Sequence, residues 1–354
     1  MTTAREADVI LPPGASAWSP DHLRLHRWLR RRPTLLPAEA PLLLAVSGGQ
    51  DSMALTGLLL GLRRQHGWRL HLWHGDHRWR PESAEQAAAL AAWAGGQGLE
   101  IRLERADTPP AGEAQARLWR YACLEQQARR LGCGHVLTGH TASDRAETML
   151  YNLARGCDRR GLTTPRASRS LGAEPGAPRL VRPLLAFSRT DSARICRDLG
   201  LPVWLDPGNE DPRFARNRIR AEVLPVLEAL HPGAGRRISA LAERWGEELE
   251  AEEEVLSLAL EVLSQPVEGP AVEGAAVAAL ARPRLTALAP ASQGRLLQAW
   301  LTRLRGQPLA SESLAQLLAR LAPSAGPGRM DVGNGWQLRW EHSTLVLIPP
   351  DLHG

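Results

Sequence analysis

Ser47-Gly48-Gly49-Gln50-Asp51-Ser52 follows directly on the apolar run 42–46 and leads into Met53-Ala54-Leu55-Thr56-Gly57-Leu58-Leu59-Leu60. Apolar residues at 55, 58, 59 and 62 recur at helical spacing. The pattern predicts a strand, a glycine turn and a helix. The two glycines let the backbone fold tightly and aim several N–H groups at one point. The helix adds its unpaired N-terminal N–H groups and its positive dipole end to the same point. An anion there gains about 0.3–2 kcal/mol from the dipole alone. A nucleotide phosphate is the natural occupant. A plain turn with a Ser or Asp helix cap would share some of these residues. Both glycines, both serines and the aspartate in register behind a buried strand favour the phosphate site.

An ordinary P-loop needs a lysine that reaches the outer phosphates. This chain has no lysine; all 43 of its basic residues are arginine. Asp51 stands at the end of the loop instead. A carboxylate beside phosphates makes sense if it holds Mg²⁺, which prefers carboxylate and phosphate oxygens. Ser-Gly-Gly-x-Asp-Ser resembles the PP-loop of the ATP pyrophosphatase superfamily. Those enzymes use ATP to adenylate a carbonyl-type oxygen and release pyrophosphate.

With 354 residues the chain is long enough for two domains. Its 44% hydrophobic and 23% charged residues are those of a globular chain and exclude a disordered one. No apolar run reaches membrane-spanning length, and Met1-Thr2-Thr3-Ala4-Arg5-Glu6-Ala7-Asp8 lacks a signal-peptide layout. Cys123, Cys133, Cys157 and Cys196 are widely spaced, which fits a reduced cytosol and gives no zinc or iron–sulfur pattern. A cytoplasmic protein without membrane contact is expected. The net charge of +5 and a pI near 9.6 point to an acidic partner such as nucleic acid. Arginine suits bidentate phosphate contacts.

Strands and helices alternate outward from the loop. The expected pairs are strand 42–46 with helix 52–65, 69–74 with 82–94, 100–105 with 112–131, 135–139 with 143–155, and 180–185 with 188–199. A basic helix over 20–32 precedes them, and a Gly/Pro/Arg-rich loop fills 156–178. Such alternation means an α/β fold with a doubly wound parallel sheet of about five strands. Its ligands bind at the C-terminal strand ends. A further helix over 212–230 ends a catalytic domain at residues 1–230, with its core at 40–228. The turn at Pro232-Gly233-Ala234-Gly235 marks the boundary. Residues 235–354 read as a smaller, mainly helical domain. A helix over about 235–264 opens it, 265–290 is irregular, and alternating residues near the end form a small β-hairpin.

Four constellations fall at the expected strand ends. His74-Gly75-Asp76-His77-Arg78 closes the second strand, where adenine or ribose contacts belong. Glu113-Ala114-Gln115-Ala116-Arg117-Leu118-Trp119-Arg120-Tyr121 opens a helix with Arg117 and Arg120 on one face. One of them could face the triphosphate, or the Glu113–Arg117 spacing could be simple surface support. His140-Thr141-Ala142-Ser143-Asp144-Arg145-Ala146-Glu147-Thr148 leaves the fourth strand. Ser143 or Asp144 would cap the helix, and the carboxylates with His140 could hold Mg²⁺ or take a proton from an attacking amine. Arg213, Arg216 and Arg220 recur at helical spacing, as a nucleic-acid contact or as a solvated basic face.

Together these segments resemble the tRNA(Ile)-lysidine synthetase family over roughly residues 40–228. The family's PP-loop, Glu-Ala-x-Ala-Arg-x-x-Arg-Tyr, His-x-x-Asp-Asp-x-x-Glu-Thr and Arg-Asn-x-Ile-Arg elements match 47–52, 113–121, 140–148 and 216–220. The first acidic position of the Asp-Asp pair is Ser143 here; Asp144 is kept and is expected to suffice. The resemblance implies a ligase that converts the wobble cytidine of CAU-anticodon tRNA(Ile) to lysidine. ATP adenylates the cytosine C2 oxygen, and the ε-amine of free L-lysine then displaces AMP. It implies that Ser47, Gly48, Gly49, Gln50, Asp51 and Ser52 hold ATP, with His74 beside the nucleoside. Asp51 and Asp144 would hold Mg²⁺. His140 and Asp144 would act at activation or deprotonate lysine. Arg117 or Arg120, and Arg216 or Arg220, would stabilise phosphates or the cytidine, with Arg213, Arg216 and Arg220 on the tRNA. The family suggests a monomer or homodimer. A thiolase, a small-molecule amidating ligase and a non-catalytic RNA-binding protein of the same fold are the competing readings. The scattered cysteines argue against the first, and no glutaminase domain or ammonia route supports the second.

Overall fold

A computed structural model of the chain describes residues 18–204, 214–266, 278–322 and 324–350. The chain divides into two compact units, Met1–Gly246 and Glu247–Gly354. In the first, α1 (Pro20–Arg30) precedes the alternation β1 (Pro41–Ala45), α2 (Gln50–His66), β2 (Arg69–Asp76), α3 (Ser83–Gly96), β3 (Ile101–Arg105), α4 (Glu113–Leu131), β4 (His135–Leu137) and α5 (Ala142–Ala154). Then come α6 (Arg159–Leu162), β5 (Ser168–Ser170), β6 (Arg179–Val181) and α7 (Arg189–Asp198).

The six strands lie in the order β3-β2-β1-β4-β6-β5. All pair in parallel except the edge strand β5, which runs antiparallel to β6. The apolar run before the phosphate loop becomes the central strand β1. Leu42, Leu43 and Leu44 are fully buried because helices cover both faces. Leu42 and Leu44 share a core with Met53, Leu55, Leu58 and Leu59 of α2. Leu43 points the other way, onto Leu124 and Ala128 of α4. The strand order reverses between β1 and β4, and that switch point opens a crevice at the strand ends. Loop 47–52 leaves β1 on one side of it, and His140 follows β4 on the other.

Three expectations are corrected. The stretch 156–178 is not simply a loop: it carries α6 and β5. The last parallel strand stops at Val181 rather than 185, because Pro183 has no N–H to pair and starts a 3₁₀ turn, Pro183–Ala186. The helix expected over 212–230 is broken into α8 (Ala215–Arg218), a π-helical turn (Ile219–Val223) and α9 (Leu224–Leu230). Pro225 sits just after the wide turn and removes a helical donor there. Residues 212–213 lie outside the described residues.

The first unit extends past the Pro232–Gly235 turn into α10 (Ala234–Leu263). Ile238, Leu241, Ala242 and Trp245 pack with Met149 and Leu162. Glu243 lies 3.1 Å from Arg32 and 3.4 Å from the buried Arg145. The second unit holds β7 (Ser264–Gln265), β8 (Ala278–Ala281), α11 (Arg282–Thr286), α12 (Pro290–Arg305), α13 (Ser311–Arg320), β9 (Gly328–Asp331), β10 (Gln337–Trp340) and β11 (Thr344–Ile348). Its antiparallel sheet has the order β7-β8-β11-β10-β9, so β8, from a stretch expected to be irregular, widens the terminal hairpin. Leu338, Trp340, Leu345 and Leu347 alternate inward against Leu297, Leu301 and Leu317. Among the described residues no helix is long and apolar enough to cross a membrane.

One contact fixes the crevice. A Cβ on Gly139, just past β4, would lie 2.8 Å from the Asp51 carbonyl carbon and from the Ser52 backbone nitrogen. The first turn of α2 therefore packs directly on bare backbone. Gly139→Ala is expected to destabilise the fold by about 1–3 kcal/mol, as overpacking against backbone does. Urea unfolding of the two proteins checks it.

Candidate active site

The loop after β1 is shaped as its sequence requires. Gly48 has φ 84°, where a side chain is strained, and a Cβ there would meet the Trp204 ring at 3.1 Å. The Trp204 N–H donates to the Gly48 carbonyl at 3.0 Å. Ser52 accepts from the Ser47 N–H at 3.2 Å and donates to the Gly49 carbonyl at 2.9 Å. The Gln50 amide donates to the Arg189 carbonyl at 2.9 Å. These side chains brace the loop. Helices α1, α5 and α7 begin under side-chain caps from Ser19, Thr141 and Ser188. Helix α2 follows Gly49 with no side-chain cap, so the N–H groups of Gln50, Asp51 and Ser52 have neither an intrahelical nor a capping partner. That is a place for phosphate oxygens.

Carboxylates gather beside it. Burial, and next the Asp144 carboxylate, push Asp51 up to about 6; Arg189, with Nη1 3.6 Å away, opposes this. Asp144 does not cap α5 itself, as was expected of it or of Ser143: Thr141 is the cap. One Asp144 oxygen accepts from the Thr141 N–H at 2.7 Å and hydroxyl at 2.8 Å, closing a capping box. The other oxygen stands 3.8 Å from Arg220. Glu147 is 2% exposed and takes Arg220 in a fork, with both contacts at 2.7 Å. Burial raises the Glu147 carboxyl above its ordinary range, and Arg220 pulls it back. Ser143, in place of a second aspartate, accepts from the Arg189 N–H at 3.1 Å.

Asp51 and Asp144 are thus two carboxylates close enough to repel. That donor set fits a hard divalent cation. Among the described residues no three His, Cys, Asp or Glu side chains form a metal cage. Mg²⁺ suits such a place, since one or two carboxylates suffice when phosphate oxygens and water complete its shell.

His140 lies next to this pair. Its Nδ1 is 2.9 Å from the Thr138 hydroxyl. Burial first, then Arg182, with Arg120 and Arg117 adding to it and Asp144 opposing, hold the imidazole well below its usual range, so it is neutral. His74, at the end of β2, is buried and lowered chiefly by desolvation; its neutral ring donates from Nδ1 to the Val46 carbonyl at 2.8 Å. Arg117 and Arg120 make no hydrogen bond or ion pair with residues 47–52. Their guanidinium carbons lie 5.0 and 5.8 Å from the Tyr121 ring centroid. Arg216 is half-buried in α8, Arg220 is at the carboxylates, and Arg213 lies outside the described residues.

Arg189, Arg182 and Gly139 escaped the sequence reading. Arg182 directly follows β6, a strand end that the expected strand 180–185 hid. Arg189 opens a helix after a strand end. Gly139 had no signal short of the packing itself.

The residues 25–227 match the family model of the PP-loop domain. The chain is 50% identical over 340 residues to a tRNA(Ile)-lysidine synthase of Parasynechococcus marenigrum, covering 96% of this chain and 97% of the relative. A tRNA(Ile)-lysidine synthase of Gloeobacter violaceus is 42% identical, with 85% and 88% covered. A solved U34-tRNA thiolase from Methanococcus maripaludis, with its [4Fe-4S] cluster, aligns at TM-score 0.53 and 16% identity, over 63% of this chain and 76% of that one; the likeness is one of fold.

Ionised Asp51 is less stable in the fold than in the unfolded chain, so stability falls as pH rises through about 6 and is retained below the ordinary value of 3.8. Without nucleotide or divalent cation, Asp51→Asn is expected to stabilise the protein at pH 8 by up to about 3 kcal/mol. The gain should vanish near pH 4. Urea midpoints across that pH range measure it; an equal gain at both ends would refute the assignment.

Proposed function

The chain belongs to the tRNA(Ile)-lysidine synthase family, and from that premise we propose how its own residues carry out lysidine formation. The reaction joins free lysine to C2 of the wobble cytidine in CAU-anticodon tRNA(Ile). The cytosine C2 oxygen attacks the α-phosphorus of ATP and pyrophosphate leaves. The lysine ε-nitrogen then attacks C2, and AMP departs with that oxygen. The observation that carries the assignment of roles is the meeting of an uncapped helix start and a mutually repelling carboxylate pair across one crevice.

The N–H groups of the 47–52 loop and of the first turn of α2 receive the triphosphate. The adenine lies towards His74 and the end of β2. Asp51 and Asp144 would hold Mg²⁺, which when bound neutralises developing charge on the phosphates. His140, neutral and with Nδ1 engaged by Thr138, offers Nε2 to the cytidine or to the departing phosphate. Its low basicity makes it a poor proton acceptor. The Asp144 oxygen that faces Arg220, outside the capping box, is the group to attract the lysine ammonium and take its proton. Glu147 fixes Arg220 where it can meet a phosphate or carboxylate. A tRNA substrate supports a cytoplasmic reaction.

Three of the four thiols give the thiolation reading no support. Burial chiefly pushes Cys123, Cys133 and Cys196 each up to about 11, so they stay protonated and poorly nucleophilic.

Incubation with labelled lysine, ATP and CAU-anticodon tRNA(Ile) is expected to fix label in the RNA, with one AMP and one pyrophosphate per lysine. ATP consumption without labelled RNA would overturn the reading. Asp51→Ala, or removal of divalent cations by a chelator, is expected to abolish pyrophosphate release.

A further inference from the structure

Several arginines of the first unit are paired with acids. Arg194 meets Asp21, Asp191 and Asp198; Arg220 meets Glu147; Arg32 and Arg145 share Glu243; Arg218 meets Glu222. One group breaks the pattern. Arg117 and Arg120 from α4, Arg169 from β5 and Arg182 at the end of β6 converge on Tyr121. The guanidinium carbons of Arg117, Arg120 and Arg169 are 5.0, 5.8 and 4.8 Å from its ring centroid. None of the four forms a salt bridge with a carboxylate among the described residues.

Arg182 is 2% exposed. Its Nη1 donates to the Arg166 carbonyl at 2.7 Å, and its buried Nε has no hydrogen-bond partner. The Tyr121 hydroxyl, buried among Arg169 and Arg182, has no well-aligned partner either. Burial, opposed by Tyr121 and reinforced by Arg169, pushes Arg182 down to about 10. Burying positive charge with donors unused costs stability unless an anion completes the group. Arg169 donates to the carbonyl of its neighbour Ser170 at 2.8 Å, and its guanidinium lies against the Tyr121 ring.

We propose that Arg169 and Arg182 close Arg117 and Arg120 into an anion pocket around Tyr121 that grips an RNA backbone phosphate adjoining the target cytidine. The proposal rests on the RNA substrate assigned above. The triphosphate has its own place: the guanidinium against Asp51 is that of Arg189, and the quartet makes no hydrogen bond or ion pair with the 47–52 loop. His140 lies within electrostatic reach of both regions: Asp144 acts on its imidazole, and so do Arg182, Arg120 and Arg117. A cytidine presented at His140 brings a phosphate on each side of its ribose. The quartet is where one of them lands. Arginine forks suit a phosphodiester, which offers two unbridged oxygens.

The test uses the full chain with Arg169→Gln, Tyr121→Phe and Arg182→Gln. Arg182→Gln removes a buried guanidinium that holds the Arg166 carbonyl and can cost the fold, so Arg169→Gln, at a half-buried position, keeps the proposal testable. Binding of a CAU anticodon stem-loop is measured against salt, alongside binding of a non-hydrolysable ATP analogue without RNA. Arg169→Gln is expected to weaken RNA binding about tenfold and to lower the salt slope by about 0.7, the share of one single-strand phosphate. Its affinity for the ATP analogue should not change. A stem-loop with a neutral methylphosphonate on one side of the cytidine should bind the wild type about tenfold less tightly and Arg169→Gln no worse than the unmodified RNA does. Weakened ATP binding with unchanged RNA binding would give the pocket to the triphosphate and overturn the proposal. So would additive losses from the neutral linkage and the substitution, or no change in either affinity. A wild type that binds the stem-loop but fixes no lysine in it would sink the assigned reaction while leaving this pocket standing.

Discussion

Gly139 leaves no room for a side chain between the end of β4 and the first turn of α2. The geometry of the site follows from that approach. Because the two backbones touch, the helix that offers unpaired N–H groups and the helix that carries Asp144 begin on opposite lips of one narrow crevice. Asp51 is thereby half-desolvated and set against a second carboxylate. An arrangement that raises the energy of an ionised group in the empty protein is stable only as a small deficit in a large fold. On the proposed reading it is relieved when a cation and phosphates arrive together. Stability is given up where binding will recover it.

The chain must manage phosphate charge without lysine. Its arginines divide into sets with different settings. Arg220 is locked by a buried glutamate, so its direction is fixed before any substrate arrives. Arg189 leans on Asp51 and is held through its own N–H and carbonyl by Ser143 and Gln50. Arg117, Arg120, Arg169 and Arg182 have only an aromatic ring between them. Guanidiniums stack on aromatic faces and remain charged when crowded, which ammonium groups do less well. The same residue type thus serves as a fixed clamp in one place and as uncompensated charge in another, and the difference lies in the carboxylates supplied nearby.

Much of this was legible in the sequence because the fold is built from local signals. The apolar run before Ser47 and the stripe after it placed β1 and α2. The alternation placed the parallel strands, and the rule that ligands lie at strand ends placed the loop, His74, His140 and Asp144 in one region. What stayed hidden depends on which residues meet across the sheet. Arg182 follows β6 and Arg169 stands on β5, and β5 lay in a segment whose glycines and prolines read as loop. Only the antiparallel pairing of β5 with β6 brings Arg169 to Tyr121. The cap of α5 was misjudged by a few residues because Thr141, Ser143 and Asp144 can all accept from a helix start. The tie to the preceding chain decided for Thr141. The broken helix near 219 turned on Pro225, a single missing donor in an otherwise helical pattern.

Ser143 shows how a departure from a motif can be absorbed. A second aspartate there would stand next to Asp144 and near Asp51, adding a third negative charge to a place where two already repel. The hydroxyl instead accepts the Arg189 N–H at 3.1 Å and so joins the start of α7 to the start of α5. Gln50 takes the carbonyl of the same residue at 2.9 Å, which ties α7 to the phosphate loop as well. Arg189 is therefore held from both backbone sides while its guanidinium faces Asp51. The lost carboxylate is offset in two ways: less repulsion for Asp51 to bear, and a better-held cation beside it. A metal shell completed by phosphate oxygens needs few protein ligands, so the crevice can give up one acid without giving up its charge pattern.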